Sequence, residues 1–407
     1  GLSYQTFLVK NKLSNTTSLF SNSRESYESR PFNILQEKSL ALGGRTMFDW
    51  KVNSDFKVEA GGELFRENYD WQTYETNDGE IGELLSNNRE IRSYYNVFAQ
   101  ADWGVSNNTT IRGGINLNDT NYDLTDRFLT NGNDQSGDYS FDFIASPSLT
   151  IEQRITGISN MNLNFFGLVS HGFSPPTLEE TLTPDGQINP DIQPETGWNF
   201  EIGAKGNWRS LKYNIATYSM QINDLLVARR TDFDQFVGIN AGKTQHNGLE
   251  VALENNFNHD ATEFTTFINY TFSDYTFKEF IDGEEDYSGN ELTGTAPHLL
   301  TAGIRVKNQT GIYGNINYQF TDAMPMRDDN SIYSESYQLL NAKIGFEKTI
   351  FDDWSFDVYA GINNLFNTYY ASMVLINAGS FGGNAPRYYY PGLPRNFYGG
   401  VRLKYSF

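Results

Sequence analysis

The sequence predicts an all-β fold, a transmembrane antiparallel β-barrel, on three observations. Apolar and polar residues alternate with period two over long stretches, which is strand rather than helix periodicity. Many stretches exceed the ~5–6 residues usual in soluble strands and approach the ~9–11 tilted residues that cross hydrocarbon. Short and long connections also alternate along the chain, the pattern of barrels with short periplasmic turns and longer outer loops.

Taken in chain order, the strands justify this reading. Tyr95, Val97, Ala99, Ala101 and Trp103 share one face, with Asn96, Phe98, Gln100 and Asp102 between them. Trp198, Phe200, Ile202 and Ala204 alternate with Asn199, Glu201, Gly203 and Lys205. The same pattern runs through Ile312–Phe320, Leu340–Phe346 and Trp354–Ile362. In the last strand, Gly399, Val401, Leu403, Tyr405 and Phe407 oppose Gly400, Arg402, Lys404 and Ser406. An apolar face against lipid explains this ending, with Tyr405 and Phe407 in an aromatic girdle at the membrane edge. Short turns are expected at 52–55, 105–108, 156–160, 207–211, 308–311 and 350–353. Long loops are expected at 13–32, 70–89, 123–139, 174–196, 227–245, 278–297, 323–336 and 367–395. The strands number about 16, an even count as such barrels require, with both termini on the periplasmic side.

Composition narrows the function classes. The net charge of −20 and pI near 4.6 argue against a nucleic-acid partner, which needs a basic footprint. Without cysteine there is neither a disulfide nor a thiolate metal site. Mean hydropathy is −0.53, since the two faces of each strand cancel, and no apolar run nears the ~18 residues of a membrane helix. The opening GLSYQTFLVKNKL lacks the basic region and apolar core of a signal peptide. The four histidines are scattered over different strands and turns. No Ser-His-Asp or HExxH arrangement is visible, so no enzyme, cofactor or metal site is indicated. The acidic run Glu279, Asp282, Glu284, Glu285, Asp286 and Glu291 lacks the spacing of a calcium loop and reads as a solvated surface.

Five phrases carry a resemblance. HGFSPPTLEE begins at His171, NPDIQPETGWNFEIGAKG at Asn189 and NAGKTQHNGLE at Asn240; INNLFNTYY begins at Ile362 and YYYPGLPRNFYGGV at Tyr388. In this order and spacing, across residues 165–407, they resemble the C-terminal barrel of TonB-dependent outer-membrane receptors of the iron–siderophore and ferric-citrate type. Each phrase also has a structural role. Asn189-Pro190 and Gln193-Pro194 start turns, and Gly242, Gly248, Gly361 and Gly399 relieve crowding in bent strands. Receptors of this type have roughly 22 strands around a plug. Residues 1–407 therefore read as one barrel domain, N-terminally incomplete and without its plug. A split receptor and a complete barrel of about 16 strands are the alternatives.

The resemblance implies high-affinity uptake of a scarce nutrient, first a ferric siderophore or other iron chelate, across the outer membrane of a Gram-negative bacterium. The implied partners are the chelate, the TonB–ExbB–ExbD complex acting through a plug, lipopolysaccharide and outer-membrane lipid, and a surface lipoprotein. A passive porin-like channel is the alternative. Arg229, Arg230, Arg387, Tyr388, Tyr389 and Tyr370 lie in the expected outer loops and are the candidate ligand contacts, with Arg127 and Arg327 nearby. Arginine would meet an anionic chelate, and tyrosine offers flat amphipathic contact. The alternative role for the arginines is lipopolysaccharide phosphate or neighbouring acids; for the tyrosines it is the outer girdle.

Overall fold

The computed structural model describes residues 1–407 except 31–32, 133, 177–188, 190–191, 231–235, 241, 283, 351–352, 381–384 and 406–407. At 131, 139, 227–230 and 236–237 it describes the backbone and not the side chains. The described residues form antiparallel strands with a single turn of 3₁₀-helix at Leu129–Asn131 and no α-helix. They fall into two compact units, the first comprising Gly1–Glu152, Leu168–Phe200 and Gln221–Lys243. The second comprises Gln153–Gly167, Glu201–Met220 and Thr244–Phe407.

Unit 1 opens with a run of hydrogen-bonded neighbours: β1 (Leu2–Val9), β2 (Leu13–Ser29), β3 (Ile34–Lys51), β4 (Phe56–Asn77), β5 (Glu80–Ser106), β6 (Thr109–Asp126) and β7 (Gly137–Ser140). One face of β3–β5 exposes Leu40, Leu42, Phe48, Trp50, Leu64, Tyr95, Val97 and Trp103. From Tyr95 to Trp103 this apolar band is about nine residues long, the span expected of a membrane-crossing strand. The opposite face carries ion pairs: Arg45 with Glu63 at 3.3 Å, Lys57 with Asp49 at 2.7 Å and Arg112 with Asp102 at 2.5 Å.

Two expected loops are corrected here. Residues 13–32 are mostly strand β2, and 70–89 are the paired ends of β4 and β5. Beyond the apolar band the apolar-polar alternation disappears from the sequence while the backbone ladder continues. β4 and β5 turn at Asp78-Gly79, with φ of 54° and 94°. Positive φ at both central residues is the type I′ hairpin geometry that an Asp-Gly pair favours. This extended end has its own core. Leu35, Tyr69, Trp71, Tyr122, Leu124 and Phe141 pack together, with Tyr69 and Trp71 rings 5.1 Å apart.

β8 (Ile144–Ile155), β9 (Met161–Ser174), β10 (Glu195–Trp208) and β11 (Leu211–Asn223) follow, each with residues in both units. β12 (Leu226–Arg230) and β13 (Phe236–Asn240) form a separate antiparallel hairpin in unit 1. β14 (Lys243–His259) leads into unit 2.

In unit 2, β15 (Thr262–Glu279) is followed by the two-residue strands β16 (Ile281–Asp282) and β17 (Glu285–Asp286), then by β18 (His298–Asn308) and β19 (Ile312–Thr321). β20 (Tyr337–Ile350), β21 (Trp354–Asn363), β22 (Ala371–Val374), β23 (Tyr389–Pro391) and β24 (Asn396–Tyr405) complete it. β15, β18, β19, β20, β21 and β24 pair in that sequence. Register places Ile304, Ile316, Ile344, Val358 and Val401 on one face. Tyr313, Lys343, Asp357 and Tyr359 take the other, as the alternation predicts. There the Tyr313 hydroxyl donates to Asp357 Oδ1 at 2.7 Å, and Lys343 Nζ lies 4.1 Å from the Tyr359 ring centre.

Of the two residues expected in an aromatic girdle, Tyr405 packs against Trp354 with ring centres 5.0 Å apart, and Phe407 lies outside the described residues. Gly361 makes room for a cross-strand ring rather than a bend, since a Cβ there would lie 2.3 Å from Tyr398 Cζ.

Candidate functional site

The short turns of unit 2 lie at one end of its strands, and the connections 322–336 and 364–395 at the other. The second end holds a cavity of about 860 Å³. Its construction begins at Asn364, a buried residue in the left-handed region with φ of 50°. The Asn364 amide donates to Thr368 O at 2.8 Å and Leu393 O at 3.2 Å, and its Oδ1 accepts from Thr368 N at 2.8 Å. Its own N–H donates to Asn341 Oδ1 at 2.9 Å. Arg395 N donates to Asn367 Oδ1 at 2.9 Å, and Arg395 Nε to Leu365 O at 3.0 Å. The INNLFNTYY phrase is thus a clamp that ties the two ends of a long connection together.

β22 and β23 form a hairpin within that connection, pairing Val374 with Tyr389 and Met373 with Tyr390. A second hub is Asp328. Its carboxylate accepts from Thr293 Oγ1 and from Asn377 Nδ2 at 3.0 Å, and its carbonyl accepts from Asn290 Nδ2 at 2.8 Å. Three connections are fixed together this way, over a small core of Met326, Ala378 and Tyr388.

The cavity walls are aromatic and flexible-apolar: Tyr337, Tyr369, Tyr370 and Tyr389, with Met324, Met373, Val374 and Ile376. Tyr337 and Tyr370 meet with ring centres 5.2 Å apart. Gly392 packs under Tyr370, where a Cβ would lie 2.2 Å from the ring. Glu335 is the charged side chain of the lining. Burial, then Glu335 and Tyr388, push the Tyr389 phenol above its ordinary range, so it remains a neutral donor at physiological pH. Such a wall suits a ligand with flat, uncharged surfaces and a few polar edges.

The sequence candidates divide. Tyr370 and Tyr389 meet at the cavity. Tyr388, expected as a ligand contact, is buried in the small core, because alternation in β23 turns its neighbour Tyr389 outward and Tyr388 under the floor. Arg387 is exposed beside it and does not line the cavity. Arg327 is 3.2 Å from Asp329 and lies beside Tyr388, whose hydroxyl, with Asp329, holds the guanidinium above its usual range despite partial burial. Arg229 and Arg230 pair through their backbones with Val237 and Phe236 in a unit 1 hairpin, and their side chains lie outside the described residues. Arg127, also in unit 1, is 2.9 Å from Asp70.

Tyr337, Tyr369, Met324, Met373 and Glu335 were not among the sequence candidates. Their signal was present in the aromatic run Tyr369-Tyr370 and in Met324-Pro325-Met326, but three separate connections had to converge for it to be read. Among the described residues there is no cluster of three or more His, Asp or Glu able to hold a metal, the acidic run included. The apolar hollow between Ile304, Ile316 and Ile344 belongs to the apolar strand face and offers little for recognition.

Comparison with known proteins places this geometry. The structure resembles that of the copper transporter OprC, with a TM-score of 0.76 at 14% identity over 100% of this chain and 64% of that one. It resembles the ferric citrate transporter FecA in its unliganded form, with a TM-score of 0.77 at 14% identity over 98% of this chain and 60% of that one. It also resembles the siderophore receptor PiuA from Acinetobacter baumannii, with a TM-score of 0.71 at 13% identity over 98% and 63%. The chain thus spans a little under two thirds of each of these proteins. A family model described as "TonB dependent receptor-like, beta-barrel" matches residues 1–365. The alternating strands, the loop-end cavity and this match lead to one assignment: the chain belongs to the TonB-dependent receptor β-barrel family.

Proposed function

We propose that this chain is the barrel region of an outer-membrane transporter that takes up a metal chelate, first a ferric siderophore. TonB–ExbB–ExbD would energise it through a plug carried outside these residues. The observation that carries the reading is the aromatic cavity at the loop end of unit 2, where a ligand arriving from outside would first be held. Its size suits a small chelate. Its wall of tyrosines, with Glu335 and without lysine or arginine, favours a chelate presenting aromatic donor groups over a compact polyanion such as ferric citrate. The apolar strand faces are the lipid contact in this account, and the charged and aromatic faces line the lumen. A surface lipoprotein partner would dock at the same loop end.

The test is uptake of radiolabelled iron by cells carrying the full receptor, supplied as a catecholate complex or as citrate. The account expects catecholate uptake that stops when the proton-motive force is collapsed. It expects roughly tenfold weaker binding in Tyr370→Ala/Tyr389→Ala, from two aromatic contacts of ~0.5–1.5 kcal/mol each. Uptake that continues after collapse would make the protein a passive channel. Equal uptake by the variant would remove the cavity from the route.

A further inference from the structure

One element of the cavity wall is the edge of a strand. We propose that the cavity-side edge of β22 takes the backbone of the ligand as an added strand, so that the chelate carried is one with an extended peptide backbone. This rests on the reading of the loop-end cavity as the ligand site.

β22 and β23 form a two-stranded sheet. The hydrogen bonds at its two ends fix which backbone groups are used. Leu375 N donates to Tyr388 O, and Gly392 N donates to Tyr370 O, both at 2.8 Å. In an antiparallel ladder, the pair next to a hydrogen-bonded pair points its N–H and C=O groups the other way. Those neighbours are Val374 with Tyr389 and Ala371 with Pro391. Pro391 has no N–H to offer, and a non-bonded pair is a place where that costs nothing. Val374 and Ala371 thus turn two N–H and two C=O groups away from β23. Among the described residues no other strand pairs with them. The register shifts between Ala371 and Met373, which makes Ser372 the extra residue of a bulge. Its hydroxyl donates back toward β23, to Tyr390 O at 3.1 Å. The bulge leaves Ala371 and Val374 on one edge, roughly one strand repeat of 6–7 Å apart.

That edge faces the cavity. A strand seen face-on lends alternate residues to a wall, as β23 does with Tyr389 and Pro391. β22 lends four in succession, Ala371, Ser372, Met373 and Val374. Four residues span about 13 Å, the length of a short peptide. Exposed edges are ordinarily blunted by charge or proline. This one carries neither and opens on the hollow of about 860 Å³. A ligand residue opposite Val374 would exchange two hydrogen bonds with it, and one opposite Ala371 two more. The tyrosines would then meet aromatic side groups of the same ligand, and Glu335 its amine terminus. A chelate without an amide backbone would leave the edge unfilled.

The test uses the full receptor and the ferric complex of a linear tetrapeptide amide, three of its residues being lysines acylated on the side chain with dihydroxybenzoate. In a set of analogues each peptide linkage in turn is replaced by an ester, which keeps the shape and removes one N–H donor. Binding is read by titration. Strand addition gives a period-two result: esters at linkages whose N–H faces the edge weaken binding about three- to tenfold, and those at the alternate linkages leave it unchanged. Val374→Pro, which removes an edge N–H and no bond to β23, should weaken the parent complex by a similar factor. Should that variant not fold, the ester series in the unaltered protein decides alone. Equal effects at every linkage, no effect at any, or full binding by folded Val374→Pro would overturn the proposal and leave the aromatic cavity in place. No binding of the parent complex would remove the cavity reading itself, and the proposal with it, so the two failures are distinguishable.

Discussion

The ends of the two units that lie away from the short turns are built in opposite ways. In unit 1 the strands themselves continue past the apolar band, and β5 runs for 27 residues. Its inner face is packed solid, with Trp71 and Glu90 each 1% exposed. In unit 2 the strands stop early, β19 and β21 at 10 residues each, and clamped connections carry the chain around an open aromatic cavity. A ladder of backbone hydrogen bonds can hold a charged interior in place without much help from sequence pattern. A cavity made of connections needs specific side chains, Asn364 and Asp328, to hold its shape. The first arrangement favours rigidity and the second favours access to a ligand.

Substitutions separate the two. Trp71→Ala should be the largest effect, destabilising unit 1 by about 3–5 kcal/mol, as expected for a fully buried large aromatic. Tyr370→Ala should leave thermal unfolding nearly unchanged while weakening ligand binding. Denaturant titration of both variants would break the contrast if Tyr370→Ala proved as destabilising as Trp71→Ala. Next, Ile344→Arg should cost ~2–4 kcal/mol in refolding into lipid, because a charge would enter the exposed apolar face. Lys343→Ala, one residue away, should cost about 1 kcal/mol through its lost contacts with the Tyr313 and Tyr359 rings. Equal losses would undo the assignment of faces. Asn364→Ala should cost about 1–3 kcal/mol by leaving buried backbone groups of the clamp unpaired, and should also enlarge hydrogen exchange across 364–395.

The smallest effect concerns Glu90, which lies beyond the Tyr95 margin of the band. Burial raises its carboxyl above the ordinary value, outweighing the Arg92 guanidinium that donates to it at 2.8 Å. The folded protein therefore binds this proton more tightly than the unfolded chain does. Its contribution is greatest below the ordinary carboxyl pKa and declines as pH rises from that value through the raised one. Glu90→Gln should remove this slope from a stability-against-pH profile. An unchanged slope would mean that the carboxylate is charged throughout and fully compensated by Arg92.

The parts of this architecture with one apolar and one polar face were legible in the sequence. Ile344 against Lys343, Val358 against Asp357 and Val401 against Arg402 fall on the faces that alternation assigns them. The extension of β2 through Ser-Asn-Ser-Arg-Glu-Ser was not legible, because both its faces are polar and the pattern resembles a loop. The Asp78-Gly79 pair was a readable hairpin signal within the supposed loop at 70–89. At the cavity, the tyrosine-rich segments supplied two wall residues, Tyr370 and Tyr389. They did not reveal which of three consecutive tyrosines, Tyr388, Tyr389 and Tyr390, would be buried, since that depends on the hairpin register with Met373 and Val374. The arginines were chosen for an anionic ligand, and the wall observed is instead aromatic with a single carboxylate.

The central claim is that each strand presents one face to lipid and the other to a polar interior. The absence of native cysteine allows it to be measured directly by single-cysteine scanning of β24 in vesicles. Cysteines replacing Phe397, Val401, Leu403 and Tyr405 should resist a charged aqueous thiol reagent and be quenched by brominated lipid when labelled. Those replacing Tyr398, Gly400, Arg402 and Lys404 should show the reverse. A period-two profile of this phase is the predicted result, and uniform aqueous reactivity along β24 would contradict the account.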